Sequence, residues 1–145
     1  MLFEKILVAI DGSPASLRAV ECARKLANLG HSTVILLSAY PKVPDYLGEP
    51  NYSKTIAKHI DRANKLLEPL AQSLQEDGIT TVTEVLQGPP SEAILSVAGA
   101  RNVDLIVMGA RGLGSLSSLL LGSVSQKVLS HADCPVMIVR AQEES

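Results

Sequence analysis

The order of apolar and polar residues predicts an α/β fold on a parallel sheet, and two observations carry that expectation. Short aliphatic runs, rich in β-branched residues, recur at 5–10, 33–39, 103–108 and 135–140, as strands buried on both faces require. Between most of them, apolar residues return every three or four positions, the period of an amphipathic helix. Strands alternating with helices imply parallel pairing, with right-handed crossovers placing helices on both faces.

The first strand, 5–10 (KILVAI), is stopped by Asp11-Gly12-Ser13-Pro14. Ser13 is an N-cap residue, and Pro14 suits the first helical position, where its missing N–H costs nothing. That helix extends to about Leu29, with Leu17, Val20, Ala23 and Ala27 on one face, and Gly30 closes it. Residues 33–39 (TVILLSA) form the second strand. Pro41, Pro44, Gly48 and Pro50 make 40–51 a loop. From about Tyr52 to Asp77, Ile56, Ile60, Ala63, Leu67, Leu70 and Leu74 mark one long amphipathic helix, ended by Gly78. The third strand, 80–86, is more polar and is expected at a sheet edge. Gly88-Pro89-Pro90 leads into a short helix, 92–100, with Ser91 as its expected cap. The fourth strand is 103–108, the last helix starts near Gly122, and 135–140 (PVMIVR) is the fifth strand. No repeat or linker divides the 145 residues, so one domain over 1–145 is expected.

Composition narrows the function. Hydrophobic residues make up 46% and charged ones 19%, the balance of a compact globular chain. The net charge is −2, no basic stripe is visible, Trp is absent and aromatics total 3%, which argues against a nucleic-acid partner. No run approaches the ~20 apolar residues of a membrane span, and Phe3-Glu4-Lys5-Ile6 enters a strand without a signal-peptide pattern. No membrane partner is therefore expected. Cys22 and Cys134 have neither metal-ligand nor CxxC spacing and read as thiols, which fits the cytoplasm. His131 lies about 12 Å beyond Ser123 along a helix and suits a helix C-terminus better than a catalytic base. His31 and His59 are isolated, so neither a catalytic group nor a metal cluster is expected.

Residues 108–125, MGARGLGSLSSLLLGSVS, follow a buried strand and end where a helix begins. A helix start presents unpaired N–H groups and roughly half a positive charge, which suits a phosphate. Gly109 and Gly112 let the backbone turn and approach a ligand without a Cβ in the way, and Gly122 does the same at the helix start. Ser115, Ser123 and Ser125 add hydroxyls, Arg111 is the cation inside the loop, and Lys127 follows in the first turns of the helix. The spacing matches neither a Walker loop nor a Rossmann fingerprint. A glycine-rich connector without a ligand is the plain alternative. Against it stand the helix start and Asp11, which lies like the loop at a strand's carboxyl end, where open parallel sheets bind ligands. Asp11 could help hold Mg²⁺ beside phosphates, or serve as a turn residue before Gly12. Leu119-Leu120-Leu121 could pack on the core, contact a partner subunit or cover the ligand.

The pattern G-x2-G-x9-G-S, read as Gly109, Gly112, Gly122 and Ser123, resembles the ATP-binding signature of the universal stress protein family. The opening KILVAIDGS, the strand DLIVMG and the closing HADCPVMIVR resemble that family as well, so the likeness covers nearly the whole chain. It implies a flavodoxin-like, adenine-nucleotide-binding sandwich, with a five-stranded parallel sheet of order 3-2-1-4-5 and helices on both faces. It also implies a homodimer pairing through the fifth strand, at Val136–Val139, where an apolar edge would invite a second chain. By the same resemblance Ala9 belongs to the nucleotide site, Asp11 lies beside the ribose and phosphates, and the backbone near Ala39 meets adenine. Met108, Gly109, Arg111, Gly112, Gly122, Ser123, Val124 and Ser125 would surround the ribose and phosphates of ATP bound with Mg²⁺. Leu116-Ser117-Ser118 is neutral where relatives often carry basic residues, which lowers the expected pull on a triphosphate. The function so implied is a nucleotide-dependent stress-response switch or sensor. A slow ATP hydrolase and a dimeric interaction protein without nucleotide remain open, and no residue stands out to position an attacking water.

Overall fold

The computed structural model describes residues 3–110 and 121–141. The expectations placed on Arg111, Gly112, Ser115, Leu116, Ser117, Ser118, Leu119 and Leu120 lie outside the described residues. Strands β1 (Lys5–Ala9), β2 (Thr33–Tyr40), β3 (Thr81–Gln87), β4 (Leu105–Gly109) and β5 (Val136–Val139) form one sheet in the order β3-β2-β1-β4-β5. Every pairing is parallel: Val8 stands between Leu36 and Val107, Val34 faces Thr81, and Ile106 faces Val136. This is the α/β, flavodoxin-like order 3-2-1-4-5.

The side-chain period of a strand divides the core into two layers. Ile6, Val8, Val34, Leu36, Leu105 and Val107 point to one face, where they meet Ala19, Val20, Ala23 and Ala27 of α1 (Pro14–Gly30) and Leu67, Ala71 and Leu74 of α2 (Asn51–Glu76). Leu7, Ile35, Leu37, Ile106 and Met108 point to the other, against Ala93, Ile94 and Val97 of α3 (Pro90–Ala100) and Val128 of α4 (Ser123–His131). Helices on both faces explain why the central strands are apolar at every position. β3 lies at an edge, as its polarity predicts, and none of its side chains is fully buried.

Several local details differ from expectation. Gly30 is the last helical residue of α1, and His31 takes the left-handed position instead (φ 56°), its N–H reaching Ala27 O. Ser91 does not cap α3: Pro89 occupies the cap position and Pro90 opens the helix, because proline's fixed φ already suits the first turn. Ser91 is therefore buried inside the helix. A short 3-10 turn, Asp45–Leu47, sits within the predicted loop. β4 starts at Leu105, later than predicted, and Asp104 just before it turns its carboxylate onto the backbone N–H groups of Glu4 and Lys5, at 2.9 Å each, pinning the start of β1.

Candidate functional site

α1 leaves β1 toward one face of the sheet, while α3 and α4 cover the other. The loops at the carboxyl ends of the adjacent strands β1 and β4 therefore diverge and open a crevice, the position at which open α/β sheets take ligands. A cavity lies there. Ala9 and Asp11 line it from the β1 side, Met108 and Gly109 from β4, and Ala39 from the end of β2. Gly122, Val124 and Ser125 line it from the start of α4. Eight of the residues singled out from the sequence thus share one concavity, although they span the chain from Ala9 to Ser125. Ser123 does not line it and is exposed on the first turn of α4. Arg111 and Gly112 lie outside the described residues.

The cavity has an apolar part and a polar part. Leu37, Ala39, Ile94, Pro90, Met108 and Val124 supply apolar wall, and Asp11, Ser16 and Ser125 supply polar side chains. Sequence reasoning missed Ile10, Ser16, Leu37, Pro90 and Ile94. Leu37 was recoverable, since it shares its strand face with Ala39 at a spacing of two. Pro90 and Ile94 are one helical turn apart on α3, but nothing local shows that this helix reaches the crevice.

Gly122 occupies the N-cap of α4 with φ −66° and ψ 166°, and no side chain caps the helix. Any residue can adopt that conformation. What glycine leaves out is a capping oxygen, which would otherwise take up the N–H groups of the first turn. The helix start therefore meets the cavity with its donors unclaimed by a cap side chain, a setting that favours an anion.

Asp11 is the lone ionisable side chain in the described lining. Its Oδ1 accepts the Ser13 N–H at 2.9 Å, so it is also the turn residue that its place before Gly12 suggests. Gly12 takes φ +84° in that turn. Gly109 has a packing task beside its place in the cavity lining. A Cβ on it would lie 2.6 Å from the Ala15 carbonyl carbon and 2.7 Å from Ser16 N, so its missing side chain admits the first turn of α1.

The other polar candidates lie elsewhere. His131, Asp133 and Cys134 border a separate groove with Asp104, beside the starts of β4 and β5. Burial pushes the Cys134 thiol up from its ordinary value, and Asp104 and Asp133 add to the shift. His131 Nδ1 lies 2.9 Å from Lys127 O in the last turn of α4. His59 stacks on Tyr40, with ring centroids 5.5 Å apart. No cluster of three His, Cys, Asp or Glu suited to a metal ion occurs among the described residues, and no described helix is long and apolar enough to cross a membrane.

Residues 2–140 match the model of a family described as the universal stress protein family. A universal stress protein of Thermus aquaticus, encoded in the 3′ region of QAH/OAS sulfhydrylase, is 43% identical over 140 residues, covering 96% of this chain and all (100%) of that one. Universal stress protein YxiE of Bacillus subtilis is 35% identical over 150 residues, covering 96% of this chain and 100% of its own. Among solved structures, protein MJ0577, of Methanocaldococcus jannaschii, superimposes with a TM-score of 0.87 at 26% identity, covering 99% of this chain and 100% of that one. A universal stress protein solved in complex with cAMP superimposes with a TM-score of 0.75 at 25% identity, covering 98% and 100%.

Proposed function

The chain belongs to the universal stress protein family, and from that premise we propose that the crevice beyond β1 and β4 binds an adenine nucleotide, ATP with Mg²⁺, as a stress-response switch. One observation carries the reading: a single cavity joins an apolar wall to a helix start that no side chain caps. An adenine ring is a flat, largely apolar body, and the wall of Leu37, Ala39, Ile94 and Met108 suits it. Phosphates suit the N–H groups at the start of α4, around Gly122, Ser123, Val124 and Ser125. Ala9 and Gly109 close the crevice from the strand ends, and the resemblance to the family pattern assigns Arg111 and Gly112, outside the described residues, to the same ligand.

Asp11 fits a ribose hydroxyl or a magnesium ion, which commonly takes one or two carboxylates together with substrate phosphates. Mg²⁺ would supply charge neutralisation beside the phosphates. Nucleotide binding in a family member supports the class of ligand, since a relative of the same fold was solved with cAMP. Occupancy acts as a switch only if ATP binds two conformations of the protein unequally. We further propose that residues 1–145 act as one domain, that two copies pair through Val136–Val139, and that the dimer works in the cytoplasm.

Titration calorimetry tests the site. Wild-type protein is expected to bind ATP, and Gly122→Val to weaken binding by about a hundredfold, close to 2.7 kcal/mol. Valine can adopt the Gly122 backbone angles and, like glycine, brings no capping oxygen, so the loss reports the bulk of its side chain at the helix start and neither strain nor a new cap. Circular dichroism checks that the variant is folded. Equal affinity in the folded variant would place the nucleotide elsewhere.

A further inference from the structure

We infer that Ser16 is a positioning residue for the nucleotide site: its buried hydroxyl holds the turn that carries Asp11 at the cavity. The inference rests on the nucleotide reading above and adds to it a residue that no sequence motif singles out.

Ser16 is 2% exposed, yet it borders the cavity. It stands at the third position of α1, after the cap Ser13, Pro14 and Ala15. In a capping box the side chain at this position reaches back to the N–H of the cap residue. Here that N–H is already taken, because Ser13 N donates to Asp11 Oδ1 at 2.9 Å. The Ser16 hydroxyl instead donates to Ser13 O at 2.9 Å and accepts from Asp11 N at 3.4 Å. The reciprocal half is retained, with Ser16 N donating to Ser13 Oγ at 3.1 Å. Only the return half of the box is thus displaced, two residues toward the strand onto Asp11 N, while the cap half stays on Ser16 N.

Two consequences separate this from ordinary capping. Starting the helix needs only the Ser13 hydroxyl on Ser16 N, which an alanine at 16 would leave intact. The second hydroxyl joins helix and turn: it donates to the cap carbonyl Ser13 O, which also accepts Leu17 N–H, and accepts from Asp11 N, the bond that reaches the turn. Size is also constrained. A Cβ on Gly109 would come within 2.7 Å of Ser16 N, so β4 passes closely over this turn, and Ser16 is buried at the cavity wall, which leaves little room for a side chain as long as Glu or Gln. A small hydroxyl is the side chain that both holds the turn and leaves the cavity open.

The experiment is a double-mutant cycle on the full chain with ATP as the probe, measured by calorimetry in the presence of Mg²⁺. Ser16→Ala is expected to weaken ATP roughly tenfold, the scale of one or two lost hydrogen bonds. Ser16→Thr, which keeps the hydroxyl, is expected to restore most of the loss. In an Asp11→Asn background Ser16→Ala should cost clearly less, because the carboxylate it positions is already gone. The thermal midpoint is measured alongside, since loss of a purely structural hydroxyl would lower it without changing the cycle. Unchanged ATP affinity in Ser16→Ala, or losses that simply add in the cycle, overturns the positioning role while leaving the nucleotide site standing. A wild-type chain that binds no adenine nucleotide overturns the site itself, and this inference with it.

Discussion

Three glycines near the site do three different things. Gly12 supplies a left-handed conformation (φ +84°) that an L side chain rarely adopts. Gly122 has ordinary angles and contributes by omitting a capping oxygen. Gly109 contributes empty volume, because the backbone of Ala15 and Ser16 fills the place where its Cβ would be. Backbone cannot yield as a flexible side-chain tip can, so Gly109→Ala must push α1 off the sheet. The expected cost is about 1–3 kcal/mol, the range for overpacking a dense core. Urea unfolding should show a lower midpoint with an unchanged slope. A midpoint equal to wild type would mean that α1 slides aside freely.

At the scale of elements, α2 shows how tertiary burial overrides propensity. Pro69 lies inside the helix, where it costs about 3 kcal/mol relative to alanine. Leu67 and Leu74 flank it on the core face, both fully buried, and each side chain contributes roughly 1.5–3 kcal/mol on burial. Pro69 itself is exposed, so the interrupted hydrogen bond falls away from the core. The end of this helix is tied to α1 through Arg24, whose guanidinium donates to Asp77, to Ser73 Oγ at 2.7 Å and to Ser73 O at 3.3 Å. Burial works against the Arg24 charge, but bonds to Asp77 and Glu21 outweigh it, and its pKa lies above the ordinary value. Arg24→Met is expected to lower stability by about 1.5–3 kcal/mol, the range for bonds to a charged group. Arg24 lies outside the cavity lining, so ATP affinity should hold. A variant as stable as wild type in urea would show that the packing of α1 on α2 does not need the tie.

At the scale of the molecule, the two sheet edges are unlike. β3 carries Glu84, paired with Arg101 at 2.8 Å, and threonines at 81 and 83. A charged edge of this kind discourages pairing. β5 is Val136-Met137-Ile138-Val139, with Met137 36% exposed. An apolar edge favours an isologous contact with a second copy, which underlies the proposed dimer. Met137→Lys would put a charge into that contact. Sedimentation at micromolar concentration should give a dimer for wild type and a shift toward monomer for the variant. A wild-type monomer under those conditions would rule out the β5 pairing.

The fold was legible in the chain because its signals are local and repeated. Aliphatic runs marked the strands, a period of three and four marked α2, and Ser13-Pro14 marked the start of α1. Much of the cavity's lining was legible too: Asp11, Gly109 and Gly122 each stand where an element ends or begins. The errors arose where neighbours in space decide. Ser91 looks like a cap but is packed inside α3, and Gly109, which lines the cavity, also makes room for α1, a task that its place in the sequence does not show. Ser16, Pro90 and Ile94 carry no local mark at all. Periodicity reports which face of an element is buried, and so the sequence alone determined the elements and their alternation. Which side chains from distant segments close on one cavity depends on how the sheet is ordered and on how closely its helices pack, and only the tertiary structure decided that.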